Sequence, residues 1–353
     1  MPPSYSRRGA TRHRGVAVST HLSILDQSPV ITGHTAADAI AATIDLAQMA
    51  DELGYSRYWC AEHHGLRGVC NPCPEIMLAR IGSVTRRIRL GTGGIMLPYY
   101  SPFKVAEQFR MLEVMFPGRI DLGVGRAPGG EQRTARLVAW GDYDTERFPR
   151  QVYDLIALTR GPLPADHEAA GIPLQPIVET APEIWMLGSS RYGGALAAHL
   201  GIRFAFAHFI NAHGGHEVAQ DYRAAFQPGA EPKPHCAVAV FTICAETEAE
   251  AASYLKAVDL RRVEMAYGVN APIPSVEQAE QWQPDEQARQ IALAERPRTI
   301  VGTPQSVAER MRELQAQFQA DELIVLSVAP GYEVRRRTYE LLADAFDLTA
   351  SST

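Results

Sequence analysis

The chain has 353 residues, and its 34 Lys and Arg are outweighed by 40 Asp and Glu, for a net charge of −6. Hydrophobic residues make up 46% and charged residues 21%, a globular composition that excludes a fibrous repeat and long disorder. No apolar run approaches the ~18 residues of a membrane span, and the acidic balance carries no general nucleic-acid footprint.

The start of the chain stands apart. Arg7, Arg8, Arg12 and Arg14 precede the first acidic residue, Asp26, and leave a charge of −10 for the remainder. No apolar stretch follows these basic residues as it would in a signal peptide. Residues 1–19 are therefore expected to form a disordered basic tail rather than a nucleic-acid or membrane arm. Five cysteines, Cys60, Cys70, Cys73, Cys236 and Cys244, make an odd count in a large chain. Free thiols in a reducing cytoplasm fit them better than a disulfide framework.

Beyond the tail, apolar runs of strand length alternate with helical patterns. Leu22 to Asp26 is followed by a helical stripe through Ile40, Ile44 and Leu53 that ends near Gly54. The second strand runs from Arg57 to His63, and Pro74 opens the next helix at a position that suits proline. Ile88 to Leu97 is the third strand, Phe103 to Met115 a helix, and Ile120 to Gly125 the fourth strand. After a longer gap come Glu183 to Gly188 with a helix from Ser190 to Leu200, and Phe204 to Phe209. Cys236 to Cys244 is read with the helix through Ala249 to Tyr267 behind it. Pro304 to Phe318 is a helix leading into Leu323 to Ser327, and a last helix lies around Tyr339 to Ala345. These runs read as strands buried on both faces, as in a parallel sheet covered by helices. Eight such units give an α/β fold, a (β/α)8 TIM barrel over residues 20–347. The Pro- and Gln-rich segments 143–181 and 270–298 are read as loop insertions, and residues 348–353 as a flexible end.

Several chemistries lack their motif. There is no GxxxxGK[ST], GxSxG or HExxH, and Gly123-Val124-Gly125-Arg126-Ala127-Pro128 fails as a dinucleotide fingerprint at its last position. Cys70-Asn71-Pro72-Cys73 has CxxC spacing near His63 and His64, but no second ligand pair accompanies it. No metal is assigned.

Barrel active sites lie at the C-terminal ends of strands, which selects a short set of residues. The strand ends deliver Asp26-Gln27-Ser28, Glu62-His63-His64, Gly93-Gly94, Gly125-Arg126, Gly188-Ser189-Ser190 and His208. An imidazole can exchange protons near neutral pH. His63 and His64 point to opposite faces in an extended chain, so they need not share a role. Arg126 suits an anion. Ser189 and Ser190 open a helix, where hydroxyls and N–H groups either cap the helix or cup a phosphate. Glycines at strand ends either serve barrel geometry or admit a flat ligand to the backbone. Met96, Phe209 and Trp185 would suit an apolar wall, but each reads more readily as core and is not counted in the site.

These residues also carry a resemblance. RYWCAEHH at 57–64, NP at 71–72, RIRLGTGGIMLPYYSPFKVAEQFRMLE at 87–113, PGRIDLGVGRAPG at 117–129, WMLGSSRYGGALAAHLG at 185–201 and IVGTP at 300–304 resemble the bacterial luciferase-like flavin-dependent monooxygenases. The likeness is nearest to the subgroup of luciferase-like alkanal monooxygenase homologues and covers roughly residues 20–345. It implies a TIM barrel that binds FMN, often as a homodimer. It implies that His63 is catalytic, that Gly93-Gly94 forms a cis peptide beneath the flavin, and that Arg126, Gly188, Ser189 and Ser190 hold its phosphate. Gly125 stands where the luciferase has a reactive cysteine, and Ser189 where it has a glutamate, so light emission is not implied. The implied activity takes reduced FMN from a separate reductase, forms a flavin hydroperoxide with dioxygen, and oxidises a small organic substrate. The resemblance leaves two alternatives: a deazaflavin-dependent oxidoreductase of the same fold, and a non-catalytic flavin-binding subunit. Specificity is assigned to the loops 127–150 and 269–299.

Overall fold

The lowest layer of inward side chains in this fold is charged. The computed structural model describes residues 21–127, 130–141, 143–161 and 163–349. The expected tail, residues 1–19, and the last four residues of the C-terminal segment lie outside them. The first half of the chain runs β1 (His21–Asp26), α1 (Ala36–Leu53), β2 (Arg57–Cys60), α2 (Pro74–Gly82), β3 (Arg89–Thr92), β4 (Ile95–Met96), α3 (Pro102–Met115), β5 (Ile120–Gly125), α4 (Gln132–Val138) and α5 (Phe148–Arg160). It continues with β6 (Glu183–Gly188), α6 (Arg191–Leu200), β7 (Arg203–Ala207), α7 (Gly215–Ala225), β8 (Cys236–Cys244), α8 (Glu248–Ala266), α9 (Val276–Gln281), α10 (Glu286–Glu295), β9 (Thr299–Gly302), α11 (Pro304–Phe318), β10 (Glu322–Leu326) and α12 (Tyr332–Ala345).

Eight strands close a parallel barrel in the order β1-β2-β3-β5-β6-β7-β8-β10, with β10 pairing back to β1. The (β/α)8 expectation is met. Two short strands are extra: β4 extends the β5 edge and β9 pairs with the second half of β8. The helices start where local chemistry starts them. Thr35 and Asp38 form a capping box on α1, Thr247 and Glu250 form one on α8, and prolines occupy the first turns of α2, α3 and α11. No helix among the described residues is long and apolar enough to cross a membrane.

Strand alternation sorts the core into two parts. Outward positions such as Leu22, Ile24, Tyr58, Leu90, Leu122 and Val124 pack under the helices. Inward positions form layers two residues apart along each strand. The lowest layer holds Ser23, Arg57, Arg89, Asp121, Glu183, Arg203 and Glu322. Arg57 Nη1 donates to Asp121 and Glu183 at 2.8 Å each, and its Nε lies 3.0 Å from Glu322. Arg89 reaches Asp121 at 2.6 Å, and Arg203 reaches Glu183 at 2.9 Å. Above this floor lie Leu25, Trp59, Trp185, Ala205, Ala237 and Ile324. Trp59 Nε1 donates to Asp121, and the Arg57 and Arg203 guanidinium groups stack against Trp185. The next inward positions include Ala61, Gly93, Gly125, Ala207 and Ala239, which are too small to fill the barrel.

Four readings of the segments change. Residues 143–181, expected to be a loop insertion, contain α5, which packs on α3 as the barrel helix after β5. Residues 270–298, likewise expected to be a loop insertion, contain α9 and α10. The helix α8 does not lie in the barrel wall behind β8. That place belongs to α11, packed between α7 and α12, while α8 packs with α9 and α10. Finally, the third strand is broken at Gly93-Gly94, a cis peptide bond, instead of running through to Leu97.

Burial acts to raise the Glu322 carboxyl, but Arg57, with His235 and Ser23, pulls it down to about 2. Its contribution to stability is therefore complete above about pH 4.5 and is lost as pH falls towards 2. Glu322→Gln, which leaves Arg57 short of a partner, should destabilise the fold by about 3 kcal/mol. Urea titrations at pH 7 and pH 3 check this, with the gap between variant and parent narrowing at the lower pH.

Candidate active site

The mouth of the barrel holds two neighbouring cavities that share Phe209 and Ile210 as a wall. The smaller, about 200 Å³, is lined by Gly93, Gly94, Met96, Gly125, Arg126, Gly188, Ser189, Ser190 and Tyr192, with Trp59 and Ile324 below. All six residues predicted for cofactor binding are thus brought together. The larger, about 490 Å³, is lined by His63, Gln27, Phe241, Arg261 and residues of α8, α10 and β9.

The glycines of the smaller cavity differ in what they accommodate. A Cβ at Gly123 would lie 2.0 Å from the Thr92 carbonyl oxygen, and one at Gly94 2.5 Å from Leu187 and 2.7 Å from the Gly123 carbonyl oxygen. These serve close backbone packing. A Cβ at Gly125 would meet nothing within 4 Å, so this glycine keeps space open towards the cavity. Arg126 is exposed, its guanidinium lies 4.2 Å from the centre of the Tyr192 ring, and its carbonyl accepts from the Tyr143 hydroxyl. Among the described residues it has no carboxylate partner. Ser190 occupies the cap position of α6 with extended backbone, yet its side chain makes no capping bond. The adjacent turn is held from behind by Asn211, which donates to the Ser189 carbonyl at 3.1 Å. An uncapped helix start facing an unpaired Arg is suited to an oxyanion.

The Glu62-His63-His64 cluster divides three ways. Glu62 is fully buried and accepts from the Met96 N–H at 2.8 Å and the Tyr100 hydroxyl at 2.7 Å, and it shares a 2.7 Å hydrogen bond with His64 Nε2. His64 is thereby a structural neighbour of the β4 corner. His63 points the other way, into the larger cavity, and its backbone N–H is fixed by the Asn71 carbonyl at 3.0 Å. Its Nδ1 is buried without a partner. Burial, followed by the nearness of His64 and Arg261, lowers the His63 imidazole to about 4.

Of the other strand-end candidates, Gln27 lines the larger cavity, whereas Asp26, Ser28 and His208 lie outside both. Asp26 is buried against Arg335 at 2.6 Å and accepts from the Ser28 N–H, while the Ser28 hydroxyl accepts from Thr43. His208 is buried beneath Pro297 and Phe318. Trp185, a candidate for the apolar wall, lies one layer down on the charged floor, whereas Met96 and Phe209 do line cavity walls. Cys70 Sγ donates to the Ser28 carbonyl, and no three of His, Cys, Asp and Glu among the described residues are grouped to hold a metal ion. Sequence reasoning missed Arg261 and Tyr100, which sit far along the chain from the strand ends they serve.

The family model described as luciferase-like monooxygenase matches residues 18–320. The chain belongs to this family. An N-acetyl-S-alkylcysteine monooxygenase of Bacillus subtilis (strain 168) is 38% identical over 329 residues, 92% of this chain and 97% of the relative. The crystal structure of apo-MsnO8 superposes with a TM-score of 0.85 at 37% identity, covering 94% of this chain and 99% of that one. The same fold recurs, at 16% identity and a TM-score of 0.68, in the oxygenating constituent of 3,6-diketocamphane monooxygenase of Pseudomonas putida in complex with FMN. It recurs again, at 13% and 0.61, in an F420-dependent secondary alcohol dehydrogenase.

A group lowered from 6.5 to about 4 binds its proton more readily in the unfolded chain. The native state should therefore lose up to about 3 kcal/mol as pH falls from 6.5 to 4 on account of His63. Imidazole NMR signals followed through this range should give one histidine with a midpoint near 4 that is missing in His63→Asn.

Proposed function

We propose that this luciferase-like family member is an FMN-dependent monooxygenase that receives reduced FMN from a separate reductase and uses dioxygen to oxidise a small organic substrate. The observation that carries this is the meeting of Arg126, the uncapped start of α6 and the open Gly125 in one cavity that adjoins the His63 cavity. Bound in its reduced form, FMN would supply the electrons that activate dioxygen. Arg126, Ser189, Ser190 and the N–H groups behind them would hold its phosphate. Gly93, Gly94 and Gly125 would admit its flat ring to the strand ends. His63, neutral at physiological pH, accepts a proton or a hydrogen bond from a substrate in the larger cavity. Phe209 and Ile210 would give the two cavities an apolar wall in common.

The competing cofactor is a deazaflavin, favoured by the shared fold of the F420-dependent dehydrogenase; it too carries phosphate. Equilibrium binding separates the two. The wild-type chain should bind reduced FMN in preference to both riboflavin and deazaflavin. Arg126→Ala should weaken FMN by about tenfold or more while leaving riboflavin nearly unchanged. Gly125→Phe should block both flavins without unfolding the protein. Equal binding of riboflavin and FMN, or full FMN binding to Gly125→Phe, would overturn the assignment.

The homodimer is assigned to α2 and α3. Ile76, Met111, Val114 and Met115 are 66%, 51%, 49% and 44% exposed, and Ile76, Met111 and Met115 line one shallow groove. A two-fold axis would pair this patch with its own copy and cover the exposed side chains. Sedimentation at micromolar concentration should show a dimer that Met111→Lys shifts to monomer; a monomeric parent would refute the interface.

A further inference from the structure

The larger cavity is mostly apolar, yet it is bordered by three arginines and one carboxylate: Arg261, Arg262, Arg298 and Glu295. Two of the arginines are occupied. Arg298 pairs with Glu295 at 2.7 Å, and Arg262 donates to the Glu295 carbonyl at 2.8 Å and to the Thr299 hydroxyl. Arg261 is different. Its one hydrogen bond is a marginal 3.3 Å contact to the Ala271 carbonyl, and no carboxylate lies within 4 Å among the described residues. It is partly buried, and burial acts against its charge, with Glu264 on the same helix offsetting this only from beyond ion-pair distance. A partly buried guanidinium with forked, unfilled donors on an apolar cavity is costly unless an anion completes it.

Its position is built by the fold. The guanidinium rests on Gly68, where a Cβ would lie 2.7 Å from it and 2.8 Å from the Ala271 oxygen. Asn270, just beyond α8, accepts from the Arg67 N–H at 2.7 Å and donates to the Gly65 carbonyl at 2.8 Å. These contacts tie the α8 excursion to the loop that carries His63. Arg261 and His63 therefore face the same cavity from two interlocked segments.

The geometry points to a substrate with an apolar body and a carboxylate, in which Arg261 binds the carboxylate and sets the specificity of the larger cavity. A single fork of two parallel N–H donors matches a carboxylate in bidentate fashion. The apolar arm then lies along Phe241, Ile243 and Met265. This reading names the substrate class of the proposed oxygenase, but its test needs no turnover.

The probes are 5-phenylpentanoate and its primary amide, equal in shape and differing in charge, titrated calorimetrically into the full chain with FMN bound and without it. The acid should bind about tenfold to a hundredfold more tightly than the amide. Arg261→Gln should abolish that preference, and Arg261→Lys should keep part of it. FMN affinity, measured on the same samples, should stay unchanged in both variants and shows that they are folded. Equal binding of acid and amide to the wild-type chain would overturn the inference, as would a preference that survives in Arg261→Gln. A chain that binds the acid selectively but not FMN would sink the oxygenase reading and leave this site standing.

Discussion

Arg57 is the residue on which the geometry of the barrel depends. Its guanidinium contacts carboxylates from β5, β6 and β10, strands on different sides of the closed sheet. Buried ion pairs of this kind add little net stability compared with a packed apolar layer. Their effect is on register. The side-chain period of a strand is two, so a slip of one residue would carry Arg57, Asp121 or Glu183 out among the apolar side chains beneath the helices. The charged floor thus fixes which residues face inward, and it closes the N-terminal end. The inward residues shrink to Gly and Ala towards the other end, where the two cavities lie.

The legible parts of the fold follow from this alternation. The apolar runs of β1, β5, β6 and β8 are read from sequence almost to the residue, because a parallel strand buried on both faces leaves a continuous apolar signature. The strand-end rule likewise finds Gly93, Gly94, Arg126, Gly188, Ser189 and Ser190, which the structure gathers around one cavity. What remains illegible depends on pairing across long distances. Nothing local in the α8 sequence says that it leaves the barrel wall. That follows from β9, over fifty residues later, pairing with the far half of β8 and drawing the chain between them outward. Trp185, a large apolar residue of β6 that reads more readily as core than as site, is an inward residue of the layer above the floor, packed against Arg57 and Arg203. Asp26 likewise has the right strand end and the wrong face, since it points outward to Arg335.

The His63–His64 pair shows how far the extended-chain rule reaches. Opposite faces were foreseeable from spacing alone. Which face is the site depends on Glu62, whose two oxygens are taken up by Met96, Tyr100 and His64 at the broken third strand. That corner exists because Gly93 and Gly94 let the backbone turn there against Leu25 and Leu187. A reader of the sequence sees an acid beside two histidines and weighs a metal site or an imidazole that exchanges protons. The structure spends the acid and one histidine on holding the corner, and leaves the other imidazole with a buried, unpartnered Nδ1.

The charges around the mouth then form a pattern with a chemical consequence. Arg126 lies beside one cavity and Arg261 beside the other, and the surfaces between them are Phe209, Ile210 and glycine backbone. Burial, followed by the nearness of His64 and Arg261, opposes a positive charge on His63. Under the proposed reading, two anions would be anchored at opposite ends by fixed cations, and their uncharged parts would meet in the middle. Anchoring charge away from the reacting atoms would let the middle stay apolar. In that reading a histidine at the boundary would contribute by being uncharged, so that it could take up a proton without first giving one away.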